Sequence, residues 1–527
     1  MTPRLFVKTP WILFGLCALA FLCYGNVIGA PFVWDDEVIV QGNGLIRSFS
    51  HLPQVFTAGV FGGETDFSGF FRPLQTISYM FDYHFWQLNP MGYHLANIVL
   101  HAANALLVFW FVSLISTRLT GIVAAVFFVI HPVNTETVAY VSDRGDLLCF
   151  FFGLLAMNVF ARSDKAMGLV LSAICALAAT LAKEQGIVFP FLMMLYAAMF
   201  TRDEKRLTWA SVMIVAAFCY GGIIFVKTLQ ATQQTLSVIA AAPFLDRLAT
   251  VPQIIFDYVR LSVFPHSLHM EYHGLSKLLS FDALWYTLGT IVLLSPVWVF
   301  APRKKAAMFW LLWAGISVVP FLQVCKPLAA TLREHWLYLP LVGLLGLYAE
   351  ISVRFLSDPK TRRNAWVVVG LYAVFFAWYA HARNEDWRSA EKLYQHDLKL
   401  EPKSFLLWNN VGVAAFKRGA LQEAADAFAQ SINISPGNRY GMAYNNLGYV
   451  YQLAKRPQDA EKMFVQSIRL SPSERAYLNL CGLYVEAGKI VEAERVLAEG
   501  LGQFPASGEL ATNLARVQEY LKKPAGK

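Results

Sequence analysis

Apolar residues run in long blocks along the first three quarters of the chain, and polar residues are concentrated at the joints between them. Blocks near 11–30, 94–116, 119–131, 146–162, 166–183, 185–201, 208–228, 281–301, 307–324, 336–356 and 364–383 predict about eleven helical spans. At about 1.5 Å per residue, roughly 20 apolar residues cross roughly 30 Å of hydrocarbon, and a helix satisfies its own backbone polar groups there. The first block follows Arg4 and Lys8 in the layout of a secretory signal, with Ile28-Gly29-Ala30 as a loose cleavage site, but its length favours a retained anchor. The stretch 251–265, interrupted by Asp257 and Arg260, reads as interfacial or re-entrant.

Beyond Ala390 charged residues return and a repeat emerges. Ala390, Ala424, Ala460 and Ala493 are 34, 36 and 33 residues apart, and Pro402, Pro436, Pro472 and Pro505 keep the same spacings. Such periods predict stacked helix pairs of the tetratricopeptide (TPR) type. Trp408-x-x-Val411-Gly412, Tyr444-x-x-Leu447-Gly448 and Tyr477-x-x-Leu480, each followed by a small residue and then Phe428, Phe464 or Leu497, fit that pattern. The expected fold is all-α: a multi-span membrane domain over 1–384, with 31–93 as its first large loop, then a TPR solenoid over 385–527.

Composition agrees with a lipid solvent. Of the 527 residues 56% are apolar, and the mean hydropathy is +0.44. The net charge of +8 does not point to nucleic acid, because Lys and Arg sit in short clusters between apolar blocks. Arg4/Lys8, Arg118, Arg162/Lys165, Arg202/Lys205/Arg206, Arg303/Lys304/Lys305 and Lys360/Arg362/Arg363 all fall on one side of a single topology, which the enrichment of basic residues in cytoplasmic loops makes the cytoplasmic side. Loops 31–93, 132–145, 229–280 and 325–335 and the whole tail then lie on the other side. The seven cysteines (Cys17, Cys23, Cys149, Cys175, Cys219, Cys325 and Cys481) form no CxxC pair, so neither a zinc knuckle nor a disulfide framework is indicated.

Candidate chemistry clusters in the non-cytoplasmic loops. Asp35, Asp36 and Glu37 follow the first span; a carboxylate there can serve as general base on an acceptor hydroxyl, or simply be solvated. Leu74, Ile77, Phe81, Phe85 and Leu88 recur at helical spacing and predict an interfacial helix, with Arg72 at its head. His131 and Glu136 can support acid/base work or cap a helix. A divalent cation, Mg or Mn, held by carboxylates and His131 is conceivable, but the spacing matches no ligand motif. Arg72, Arg144, Lys183, Arg333 and His335 are cations suited to an anionic lipid phosphate. In the tail Asn410, Asn446 and Asn479 hold one register, with Asn513 continuing it. Stacking would align these amides to meet the backbone of an extended peptide.

The ordered set Trp34-Asp35-Asp36, Phe71-Arg72-Pro73-Leu74, Gly92-Tyr93-His94, His131-Pro132-x-x-Thr135-Glu136, Arg144-x-Asp146-Leu147, Lys183-Glu184-Gln185-Gly186 and Leu337-Tyr338-Leu339-Pro340, followed by TPRs, resembles the transmembrane and TPR-containing O-mannosyltransferases and their bacterial relatives, in the C-type glycosyltransferase superfamily. The resemblance implies that fold, a polyprenyl-phosphate-linked sugar donor, and transfer with inversion to a hydroxyl of a polypeptide acceptor. It makes Asp35 or Asp36 the base, and sets some of Arg72, Arg144, Lys183 and Arg333 against the departing phosphate. The tail is shorter than the repeat arrays of animal members, and no residue identifies the sugar. A lipid or polysaccharide acceptor, or a non-catalytic membrane scaffold presenting TPRs, are the alternative readings. The expected location is the bacterial inner membrane with the TPRs in the periplasm, or the endoplasmic reticulum in a eukaryote.

Overall fold

The computed structural model describes residues 8–60, 70–163, 165–201, 203–230, 237–278, 280–324, 326–505 and 507–522. Arg4, Arg202 and Cys325 lie outside the described residues, as do parts of the two large loops. Among those described, the secondary structure is helical apart from one bridge, which pairs Tyr272 with Leu332. Each of the eleven apolar blocks is a helix: Thr9–Tyr24, Pro90–Ile115, Arg118–Ile130, Arg144–Arg162, Ala166–Ala182, Val188–Tyr196, Glu204–Gln230, Asp282–Phe300, Lys304–Val318, Tyr338–Ser357 and Arg362–Trp387. Among the described residues, seven helical stretches are long and apolar enough to cross a membrane, and Arg118–Ile130 and Ala166–Ala182 are shorter apolar helices. The chain is a multi-pass membrane protein. Asp282–Phe300 and Arg362–Trp387 have only 6% and 11% of their apolar windows buried inside the protein, so lipid must cover the remainder.

The chain divides into two units, with the main boundary between Ser389 and Ala390. In the first unit, tight packing relies on small residues, as is common between helices in lipid. A Cβ on Gly346 would lie 2.5 Å from the Trp310 ring and one on Gly343 2.7 Å from backbone of the same helix, so the helices Lys304–Val318 and Tyr338–Ser357 meet only because both positions are glycine. The first helix is built into this unit. Leu16, Ala20 and Tyr24 are buried, Tyr24 donates to the His131 carbonyl at 3.3 Å, and Asn384 donates to the Cys23 carbonyl at 2.7 Å.

The basic residues gather at the helix ends opposite those that carry the polar motifs. Arg118 donates to Thr9, Arg162 to the Trp110 carbonyl and Arg206 to the Ser163 carbonyl, each at 3.0 Å. The Ser163 carbonyl caps the helix Arg144–Arg162 and lacks an intrahelical donor, which is why the Arg206 guanidinium settles there. The segment 251–265 lies in the helix Phe244–Val263, which contains Pro252 and an Asp257–Arg260 ion pair at 3.2 Å and is not among the seven membrane-length stretches. The loop helix Pro73–Trp86 is turned inside out. Gln75 and Asp82 are buried while Phe81 and Phe85 are exposed, as an interfacial helix presenting its apolar face to lipid requires.

In the second unit three helix pairs, Phe405–Lys417 with Leu421–Ile434, Gly441–Leu453 with Pro457–Leu470, and Glu474–Glu486 with Ile490–Gln503, are flanked by Ala390–Leu400 and Gly508–Lys522. Each pair closes on a small residue under an aromatic ring. An added Cβ would stand 2.5 Å from Phe428 at Gly412, 2.8 Å from Phe464 at Gly448 and 2.9 Å from Tyr477 at Gly500.

Candidate functional site

The polar motifs converge at one end of the helices of the first unit. After the first helix the chain turns through Trp34, whose φ of +54° is in the left-handed region. For a bulky side chain this conformation costs on the order of 1–3 kcal/mol and marks a position fixed by its surroundings. The turn leads directly into two adjacent carboxylates. Asp36 is fully buried: Oδ1 accepts the Ser142 amide at 2.7 Å and the Ser142 hydroxyl, and Oδ2 accepts the Val33 amide at 3.2 Å. Burial pushes Asp36 up to about 7, against the Ser142 and Val33 hydrogen bonds. Asp35 is half-buried, and its backbone amide donates to the Tyr140 hydroxyl at 3.1 Å. Desolvation pushes its carboxyl above the usual range, opposed first by the nearby Arg333 guanidinium and then by Tyr140.

Asp36 is therefore a strut between two loops. Asp36→Ala leaves the Val33 and Ser142 donors buried without acceptors and is expected to cost about 2–4 kcal/mol of stability. Its raised pKa sets the sign with pH: the protonated form favours folding, so that contribution is present below the unfolded value and is lost as pH rises through about 7. Thermal melting in detergent at pH 5 and pH 8 tests both effects. A variant as stable as the parent, with an unchanged pH slope, would contradict the assignment.

The cations are brought to the same end, each against a carboxylate. Arg72 grips Glu184 with a two-pronged contact, Nε at 3.0 Å and Nη2 at 2.6 Å, and Glu184 is largely exposed. Lys183 pairs with Asp146, both buried. Gly186 closes that turn, because a Cβ there would stand 2.3 Å from the Thr180 backbone nitrogen. Arg333 pairs with the buried Glu271, whose other oxygen lies 3.4 Å from His273. The Tyr272–Leu332 bridge holds these two segments together, with Tyr272 N–H donating to Leu332 at 3.2 Å. Arg144 is different. It is buried and donates to Asp82 at 2.7 Å, to the Tyr93 carbonyl at 2.7 Å and to Asn97, so it locks the helices Pro73–Trp86 and Pro90–Ile115 to its own.

His131 and Glu136 diverge. The His131 ring accepts the Val133 amide on Nδ1 at 3.3 Å and faces the Ser262 carbonyl with Nε2 at 3.1 Å, which fixes a neutral ring with both nitrogens occupied. Glu136 meets His335 instead, 2.9 Å from Nδ1 and 3.0 Å from its backbone amide. Glu271 and Tyr140 escape sequence reasoning because each is a lone polar residue in no motif; the contacts that give them meaning are supplied by other loops.

In the tail, Asn446 donates to Asn409 at 3.0 Å and Asn479 to Asn445 at 2.9 Å, so these amides stitch successive repeats. The Asn410 amide nitrogen has no hydrogen-bond partner among the described residues. Asn513 donates to the Glu509 carbonyl of its own helix at 2.9 Å and takes no part in the ladder.

Comparison with known proteins agrees with the family resemblance. Residues 404–473 match a family model described as Tetratricopeptide repeat. The mouse protein O-mannosyl-transferase TMTC3 is 24% identical over 92% of this chain and 59% of its own length. Tmtc1 of Drosophila melanogaster, also named a protein O-mannosyl-transferase, is 32% identical over 33% of this chain and 21% of its own length. The chain thus spans about three fifths of the length of the TMTC3 proteins it matches. Among solved structures, ArnT from Cupriavidus metallidurans bound to undecaprenyl phosphate aligns over 87% of this chain and 80% of that one, at 15% identity and a TM-score of 0.37.

Proposed function

We propose that this protein is a membrane glycosyltransferase that moves a sugar from a polyprenyl-phosphate donor to a hydroxyl of a polypeptide, on the non-cytoplasmic side, with Asp35 as the base. The named activity of the O-mannosyl-transferase relatives supports the reaction class. The observation that carries the assignment is the contrast between the two adjacent carboxylates. Both oxygens of Asp36 are spent on the fold, whereas Asp35 is half-buried, raised in pKa by desolvation, and faces Arg333. A base with that environment takes the acceptor proton as the hydroxyl oxygen attacks the anomeric carbon, and the bond from that carbon to the phosphate breaks. Negative charge then accumulates on the lipid phosphate, where Arg333, Arg72 and Lys183 offer preorganised compensation. Attack opposite to the leaving group inverts the anomeric centre.

The basic ends of the helices orient the site away from the cytoplasm, and the unit 390–527 presents the acceptor or a partner protein on that same side. Since Asn446 and Asn479 spend amide donors between repeats, peptide recognition rests on their carbonyl oxygens and on the Asn410 amide.

The test is transfer from a panel of radiolabelled polyprenyl-phosphate sugars by purified full-length protein, with a hydroxyl-rich polypeptide, a lipid and a polysaccharide as acceptors. Label in polypeptide with one donor is expected. Label in lipid or polysaccharide alone would move the acceptor class, and no label with any donor would leave a scaffold.

A further inference from the structure

Two buried carboxylates converge on one ring nitrogen. Glu136 Oε1 lies 2.9 Å and Asp143 Oδ2 3.3 Å from Nδ1 of His335, and the three atoms fall within 4.8 Å of one another. One nitrogen carries at most one hydrogen, so it cannot fully satisfy both oxygens. Asp143 is 6% exposed, and no hydrogen bond reaches its Oδ2 from any described residue. An uncompensated carboxylate oxygen in that position is costly. The surroundings relieve it only in part: burial and the neighbouring Asp146 and Glu136 carboxylates outweigh the Lys183 and Arg333 cations, and Lys183 and Arg333 are paired with Asp146 and Glu271.

The two spacings from His335 Nδ1, 2.9 Å and 3.3 Å, match those of neighbouring ligands around a common ion. With bonds of roughly 2.0–2.2 Å, neighbouring ligand atoms in a tetrahedral or octahedral shell stand roughly 2.9–3.6 Å apart. One imidazole and two carboxylates form a donor set for borderline divalent ions, not for soft ones. Elsewhere the arrangement is rigid: the backbone amide of His335 holds the second oxygen of Glu136 at 3.0 Å, aiming the first at the ring. His131 takes no part, because both its nitrogens are occupied.

We propose that Glu136, Asp143 and His335 bind one divalent transition-metal cation, Zn2+ or Mn2+, through Oε1, Oδ2 and Nδ1. The site goes beyond the transfer reaction and is read without it. Full-length protein, purified without a polyhistidine tag, is stripped with EDTA, loaded with Zn2+ or Mn2+, desalted and analysed by inductively coupled plasma mass spectrometry. About one equivalent of one ion is expected in the wild type, with a higher melting temperature than the stripped form. Asp143→Asn and His335→Gln each remove a ligand and should weaken binding by more than the roughly 10–100-fold that loss of an outer-shell partner costs.

Retention of metal at a trace level by the wild type, or equal retention by the Asp143→Asn/His335→Gln double variant, overturns the proposal. If the variants fail to fold, X-ray absorption of the loaded wild type decides. A shell of one imidazole with oxygen ligands supports the site, and sulfur or several imidazoles refute it.

Discussion

Asp35→Asn is expected to lower transfer by about 10²–10⁴-fold with little change in melting temperature. Asparagine keeps the size of the side chain and leaves the bond from the Asp35 backbone amide to Tyr140 intact, so the turn at Trp34 is preserved. What disappears is the carboxylate that accepts a proton. The same assignment fixes a pH dependence. A base works only when ionised, so transfer falls tenfold per pH unit below its pKa. Desolvation places that pKa above the ordinary carboxylate value of 3.8, so the acid limb of kcat/KM begins at a higher pH than an exposed aspartate would give. Measuring kcat/KM from pH 4 to pH 9 for the parent, beside single-pH rates for the variant, checks both. Full transfer by Asp35→Asn would remove the proposed base.

Arg333→Ala is expected to cost transfer about 10²–10³-fold, as the loss of one preorganised group facing developing charge does. Interpretation needs a second variant, because Arg333 also pairs with buried Glu271. Removing one partner of such a pair leaves an uncompensated charge worth about 3–5 kcal/mol of destabilisation. Arg333→Ala with Glu271→Gln removes both charges, so stability should recover while transfer remains low. Recovery of transfer along with stability would make Arg333 a structural residue only. Arg333→Lys should be intermediate, since an ammonium supplies charge without the planar fork that meets two phosphate oxygens.

Other parts of the site divide in the same way. Arg144 and Lys183 look alike as cations beside membrane helices, yet Arg144 is consumed by Asp82, Asn97 and the Tyr93 carbonyl, and Lys183 keeps one carboxylate partner, Asp146. The asparagines of the tail share one register, and the register is what lets Asn446 and Asn479 reach the preceding repeat. Asn513 holds the same place in the period but has turned to its own helix. A repeat predicts equivalent positions; it does not predict which neighbour each side chain meets.

The sequence by itself determined the helices and the two-part organisation. Hydrocarbon obliges a segment to satisfy its backbone within itself, and a stacked repeat buries the same face at each period, so both are local properties that leave a local pattern. It also determined which end of the helices carries the polar motifs. Only the tertiary structure gave Asp35 and Asp36, neighbours in the chain and identical in chemistry, different surroundings. Ser142, 106 residues away, occupies Asp36 and leaves Asp35 to face Arg333. Glu136 meets His335 across 199 residues and Arg333 meets Glu271 across 62, in pairs that no spacing encodes. A buried ionisable side chain takes its role from its compensating partner, and the packing of distant loops chooses that partner.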